Sequence, residues 1–198
     1  MGSVAPDPER IYSFAELLEL EELSGQKYEL LDGRVVAMTG GTKAHNLIAL
    51  GLFSEIDRQK ADDCRLYVAD VKLRIAPKSN TSTRETVSYP DVMLARGEDS
   101  SALYEEAPLL LAEVLSDSTA RRDKGRKRDR YLGIASLQVY LLLSQTEVLM
   151  TVYQRDEDGW RSEVYLRSSE DIELRLGDGH PPLQLNLQRI YRNLAGRI

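Results

Sequence analysis

Two periodicities alternate along the chain of 198 residues. Phe14, Leu17, Leu18 and Leu20 recur at helical spacing behind a capping box, Ser13 with Glu16, so a short first helix is predicted to end near Gly25. KYELLDGRVVAMTG (27–40) then alternates apolar and polar positions on either side of Asp32-Gly33, a strong hairpin signal. Residues 43–61 return to helical spacing through Ala44, Leu47, Ile48, Leu52 and Ile56. Strands are predicted at 64–76, 87–95 and 108–116, with Pro90 demoting the second to an edge, a strand start or a bulge. A helix is expected over 118–132, ending near Gly133, then strands at 137–144 and 147–154. Asp158-Gly159 marks a further hairpin, and LQRIYRNL a short closing helix. Early interleaving and late hairpins predict an α/β (α+β) architecture, a mixed sheet with helices against it.

One residue interrupts the most apolar of these runs. In LLLAEVLSDST (109–119), Leu109, Leu111, Glu113 and Leu115 share one strand face and Leu110, Ala112, Val114 and Ser116 the other. Such a strand reads as covered on both sides, where an unpaired charge costs several kcal/mol. Glu113 is therefore either in a salt bridge, at a strand end that reaches water, or in a metal or catalytic site.

Asp91 follows Pro90 at a strand start, and Glu113 comes twenty-two residues later in the next predicted strand. If those strands are neighbours, the two carboxylates face each other across the ladder at ~5 Å. A divalent cation between them would turn repulsion into binding. Eight residues beyond Glu113, seven of the ten residues 121–130 are basic. A charge run of this kind is ordinarily a solvated helix face. On a helix, however, Asp123, Lys127, Arg130 and Tyr131 share one side, and Tyr131 as its apolar anchor turns Lys127 inward. Lys124 and Arg128 fall on another stripe, facing solvent or a phosphate backbone. Two carboxylates, a lysine and a basic helix suit phosphodiester hydrolysis.

Composition narrows the chemistry. Hydrophobic residues at 42% and charged residues at 29% are ordinary for a globular protein, and the length fits one domain over residues 1–198. A net charge of −6 argues against a general polyanion-coating protein but leaves room for a local basic groove. One cysteine, Cys64, and two histidines cannot build a Cys/His zinc site, so a metal would be a hard cation held by oxygen. No apolar leader or spanning run is present, and a cytoplasmic protein with no membrane association is expected. Gly40-Gly41-Thr42-Lys43 lacks phosphate-loop spacing, no G-x-S-x-G occurs, and Cys64 has no visible base.

YELLDG (28–33), His45, ADVKLRI (69–75), YPDV (89–92), and AEVLSDST followed by Asp123-x-x-x-Lys127 stand in one order. Together they resemble the Uma-two restriction endonuclease family of the PD-(D/E)XK nuclease superfamily, over nearly the whole chain. The resemblance implies a restriction-endonuclease-like fold with additional β-hairpins and a Mg²⁺ (or Mn²⁺) ion on Asp91, Glu113 and the Val114 carbonyl. It also implies DNA cleavage and a homodimer. Leu115 stands where the superfamily has its E-x-K lysine, and Lys127 matches the relocated position. Glu29, read from its hairpin as an exposed carboxylate, becomes by resemblance an auxiliary acid, and His45, otherwise a packing residue, a site residue.

Asp70 and Lys72 precede the Pro-Asp motif, so Asp70 ranks as a second-line candidate with Asp123, and Lys72 as a surface charge. Arg121, Arg122, Lys124, Arg126 and Arg128 are the expected DNA contacts. The expectation is a Mg-dependent endodeoxyribonuclease. Its rivals are a non-catalytic nucleic-acid or protein binding module on a nuclease fold, and a phosphatase of small phosphate esters.

Overall fold

The capping box forms as the sequence requires. Ser13 N donates to Glu16 Oε2 at 2.8 Å while Glu16 N donates to Ser13 Oγ at 3.3 Å, and α1 (Phe14–Ser24) ends at Gly25 in the left-handed region. The computed structural model describes residues 5–38, 40–77, 84–97, 101–115, 125, 127–167, 171–177 and 179–194. After α1 come β1 (Tyr28–Leu31), β2 (Arg34–Ala37), α2 (Lys43–Asp57), β3 (Cys64–Val68), β4 (Lys72–Ile75), β5 (Thr86–Ser88), β6 (Val92–Arg96), β7 (Tyr104–Glu105) and β8 (Pro108–Leu115). Then follow α3 (Arg128–Leu132), β9 (Val139–Ser144), β10 (Leu149–Asp156), β11 (Gly159–Leu166), β12 (Ile172–Leu174), β13 (Leu183–Leu185), α4 (Leu187–Ile190) and a 3₁₀ turn (Arg192–Leu194). No described helix is long and apolar enough to cross a membrane.

Six strands form the larger sheet in the order β11-β10-β9-β8-β6-β3, antiparallel except for the β8–β9 pair. The doubly apolar run at 108–115 takes its centre. Leu110, Ala112 and Val114 pack with Ile48, Leu52 and Ile56 of α2 and with Leu187 and Ile190 of α4. On the other face Leu111 and Leu115 pack with Leu73, Tyr131 and Tyr140. A smaller sheet, β2-β1-β5-β4-β7, carries its own core of Tyr28, Leu30 and Val87 against Leu17 and Leu20 of α1. The mixed sheets flanked by helices match the expected class.

Two predicted strands are each divided between the sheets. The run 64–76 breaks at Ala69 and Asp70, whose φ values of 46° and 59° are left-handed, so β3 stays in the large sheet and β4 enters the small one. The run 87–95 breaks at Pro90, which cannot donate to a ladder, and β5 and β6 part in the same way. Because β3 pairs with β6 and β4 with β5, these segments make one two-stranded ribbon folded at a corner. Ala69 N donates to Asp91 O at 3.1 Å across that corner. Asp32-Gly33 turns the first hairpin with both φ values positive, as expected. The late hairpin lies one residue earlier than its Asp-Gly signal, because Asp156 pairs with Gly159 and leaves Glu157-Asp158 as the loop.

Gly51, in the middle of α2, lets α4 approach closely: a Cβ there would lie 2.2 Å from the Ile190 carbonyl oxygen. Gly51→Ala is therefore expected to lower the unfolding free energy by about 1–3 kcal/mol, despite the ~1 kcal/mol helix-propensity advantage of alanine. Gly40→Ala, with nothing within 4 Å of its Cβ, should change stability by less than about 0.5 kcal/mol. Urea unfolding of the two variants checks this, and a Gly51→Ala protein as stable as the parent would contradict it.

Candidate active site at the sheet corner

The corner delivers Asp91 to the end of β6, and continuing the Val92–Ala112 register by one residue sets it opposite Glu113. Its Oδ2 accepts from Val114 N at 2.7 Å and lies 3.1 Å from His45 Nε2. His45 reaches it from the first turn of α2, where Thr42 caps the helix by accepting from His45 N at 3.1 Å. Gly41 leaves room for the imidazole, since a Cβ there would sit 2.9 Å from His45 Nδ1. The Gly-Gly-Thr-Lys stretch thus serves to seat His45 at the head of the helix.

Glu113 is engaged from the opposite side. Lys127 Nζ stands 2.7 Å from Glu113 Oε1 and donates to Glu29 Oε1 at 2.8 Å. All three groups are nearly out of solvent, Glu29 and Glu113 at 4% exposure and Lys127 at 3%. Such a triad persists because each charge faces an opposite one at contact distance; singly, each would be strongly disfavoured. Glu29 comes from the small sheet and Glu113 from the large one, so the ammonium joins the two sheets. Tyr131, one turn after Lys127, donates its hydroxyl to Glu113 Oε1 at 2.9 Å and lies 2.8 Å from Ser88 Oγ. Burial, with Glu113 beside it, holds the Tyr131 phenol well above its usual range, so it stays a donor even in alkaline solution where a free phenol ionises.

Asp91, Glu113, Lys127, Glu29 and His45 thus converge on one corner. Glu29 corrects the reading of an exposed hairpin carboxylate: both faces of β1 are covered, one by α1 and the other by Lys127. Asp70 sits in the adjoining turn, but its carboxylate faces outward and pairs with Lys27. Lys72, expected at the surface, is mostly buried: it lies 3.0 Å from Glu21 Oε2 and 5.1 Å from the Tyr89 ring centroid. Leu115 fills the apolar core where the superfamily lysine would stand, and Lys127 brings an amine to Glu113 instead. Arg128 bonds its neighbour Asp129 at 2.8 and 3.0 Å. Arg121, Arg122, Asp123, Lys124 and Arg126 lie outside the described residues. Sequence reading took Tyr131 only as an apolar anchor and passed over Ser88; the four-residue spacing from Lys127 to Tyr131 was the available signal.

The oxygen donors here are of the hard kind that Mg²⁺ takes, and such an ion is ordinarily held by one or two carboxylates with water and substrate phosphate completing its shell. Asp91 and Glu113 on adjacent strand ends fit that pattern. Among the described residues, no group of three or more His, Cys, Asp or Glu side chains is placed to hold a metal by itself. The fit is to an ion completed by substrate, not to a closed protein cage.

Comparison with known proteins places these features in context. Residues 14–188 match the Uma2 family model, described as "Putative restriction endonuclease". Two proteins of Synechocystis (strain PCC 6803) are similar along most of their length. The uncharacterized protein slr1290 is 32% identical over 184 residues, covering 91% of each chain. The uncharacterized protein sll1609 is 33% identical over 170 residues, covering 83% of this chain and 93% of its own. Among solved structures, one described as a putative nuclease belonging to DUF820, from Anabaena variabilis, superimposes with a TM-score of 0.62 at 13% identity. The match covers 85% of this chain and 91% of that one, a shared fold.

Removing the buried ammonium leaves two carboxylates facing each other without compensation. Lys127→Met is expected to destabilise the protein by about 3–5 kcal/mol, and Glu29→Gln in the same chain to restore part of that loss. Denaturant unfolding of both single variants and the double variant measures the coupling. Strictly additive effects would contradict the contact.

Proposed function

The chain belongs to the Uma2 restriction endonuclease family, and on that premise we propose that it is a metal-dependent endonuclease that hydrolyses phosphodiester bonds of DNA at the Asp91–Glu113–Lys127 corner. The observation that carries this reading is the convergence there of Asp91, set opposite Glu113, with an ammonium 2.7 Å from Glu113. Asp91, Glu113 and the Val114 carbonyl would hold Mg²⁺ or Mn²⁺, which supplies charge neutralisation at the phosphate and acidifies a water.

The remaining residues are arranged to hold that centre in place. His45 and the Val114 N–H fix one Asp91 oxygen. Tyr131 fixes Glu113, and Glu29 holds the Lys127 ammonium beside Glu113 at the edge of the reacting centre. There it stabilises developing negative charge, a contribution that grows in a site from which water is excluded. Second-rank roles remain for Asp70 at the corner turn and for Asp123 ahead of Lys127. Phosphate contacts fall to Arg121, Arg122, Lys124, Arg126 and Arg128, which makes binding steeply salt-dependent. The protein acts in this reading as a single domain, in the cytoplasm, and as a homodimer.

One observation favours the second reading, a binding module that keeps the fold without the chemistry. Lys127 already bonds both Glu29 and Glu113, so each of these carboxylates has a cationic partner without a metal ion. Calorimetric titration with Mn²⁺ separates the two, because only the nuclease reading requires binding in the micromolar to millimolar range.

Incubating the pure protein with supercoiled, linear and branched DNA plus Mg²⁺ or Mn²⁺ tests the activity. Asp91→Asn is expected to lower cleavage by at least ~100-fold, the scale of losing one oriented charge at a transition state. Cleavage at the parental rate by Asp91→Asn would overturn the site assignment.

A further inference from the structure

A second polar concavity lies at the far end of α2, independent of the corner. It is shallow and open, has a volume of about 410 Å³ and is lined by Glu55, Arg58, Gln59, Gln184, Arg189 and Arg192. Glu55 is 2% exposed, and its two oxygens are divided between two guanidinium groups: Oε1 pairs with Arg58, and Oε2 accepts from Arg189 Nε at 2.8 Å. Arg58 is further fixed by donating to Ser54 Oγ at 3.1 Å. Gln59 bolts the wall to β13, donating to Gln184 O at 2.9 Å and accepting from Gln184 N at 2.8 Å. The buried carboxylate thus orients both arginines before any ligand arrives, which reduces the ordering cost of binding.

A structural charge cluster needs nothing more than this. Glu55 is balanced by Arg58 and Arg189, yet Arg192 also lines the concavity, and among the described residues it makes no ion pair or side-chain hydrogen bond. Three guanidinium groups thus line the concavity, and Arg192 is the one that the buried Glu55 does not bond. Asp171 lies at the margin, 4.0 Å from Arg189 Nη2 and accepting from Asn186 Nδ2 at 2.6 Å, and Glu173 accepts from Gln184 Nε2 at 3.1 Å. Guanidinium forks of this kind match the oxygens of a phosphate group.

We propose that this pocket is a phosphate-binding subsite, separate from the Asp91–Glu113 corner. Its ligand is a phosphate ester or pyrophosphate group, either on a nucleic-acid backbone or on a small nucleotide. His45 and Glu55 are ten residues apart on α2, about 15 Å along the axis at 1.5 Å per residue. That span corresponds to about four base steps of duplex at 3.4 Å each, so a strand running from the corner along the helix could place a phosphate in the pocket.

The experiment titrates the full chain with sodium pyrophosphate by calorimetry and with a fluorescein-labelled duplex by anisotropy, without divalent metal. The parent, Arg192→Glu and Asp91→Asn proteins are compared. Arg192 is exposed, so its replacement leaves the core intact. The expected result is pyrophosphate binding weakened at least tenfold by Arg192→Glu and unaffected by Asp91→Asn. A parallel tenfold loss for the duplex, with pyrophosphate competing, identifies the ligand as a backbone phosphate. Loss of pyrophosphate binding alone identifies a small phosphate ester, whereas loss of duplex binding alone, which a surface charge reversal produces without any subsite, overturns the proposal. Parental affinity of Arg192→Glu for both probes, or no binding of either probe to the parent, overturns the proposal. Cleavage is not read, so the outcome stands apart from that of the nuclease assay.

Discussion

An ammonium held between two buried carboxylates is the interaction on which the candidate site depends. Lys127 meets Glu29 from the small sheet and Glu113 from the large one, with all three withdrawn from water. The Coulomb gain in such a place is offset by the cost of desolvating each ion, so the triad adds little to net stability. Its consequence is positional. Removing the ammonium leaves two carboxylates without compensation inside the protein, and because Lys127 bonds one from each sheet, the two sheets are held in one relative placement. Tyr131, whose phenol burial pushes well above its usual range, completes the arrangement by donating to the same oxygen of Glu113.

The folded ribbon explains how Asp91 comes to stand beside that triad. Its two strands cross from one sheet to the other at Ala69-Asp70 and at Tyr89-Pro90-Asp91, and the backbone bond from Ala69 to Asp91 closes the corner. Left-handed φ values at two consecutive non-glycine residues cost free energy, of order 1–3 kcal/mol each. They persist because the ladders on either side of the bend fix both strands. Strain and a candidate catalytic carboxylate thus meet at one point of the backbone, while α2 supplies His45 from its first turn and, from its last, Glu55, which orients Arg58 and Arg189.

Much of this was legible in the residues, and what was not has identifiable causes. The capping box at Ser13 and Glu16 and the Asp32-Gly33 turn are local signals, satisfied by atoms a few residues apart, and they appear where the pattern puts them. The centrality of 108–115 follows from its apolar character on both faces. Ala69-Asp70 has no glycine or proline, so nothing in the run 64–76 announces that it changes sheets; the bend is imposed by tertiary contact. Pro90 does announce a break, but its meaning depends on there being two sheets to separate. Alternation predicts that Glu29 faces water between Tyr28 and Leu30, and fails because Lys127, ninety-eight residues away, covers that face. Glu55 and Arg189 are 134 residues apart, and no local pattern links them. The inward turn of Lys127 was accessible, because Tyr131 on the same helical face could only point to the core.

The central claim is that the Lys127 ammonium is sequestered between Glu29 and Glu113. Nitrogen-detected NMR of the lysine ammonium groups tests it most directly, because a buried and hydrogen-bonded group exchanges its protons with water far more slowly than a solvated one. The account predicts one slowly exchanging lysine ammonium resonance that is absent from Lys127→Met and displaced in Glu29→Gln. A spectrum in which every lysine ammonium exchanges at the rate of a solvent-exposed side chain would contradict it.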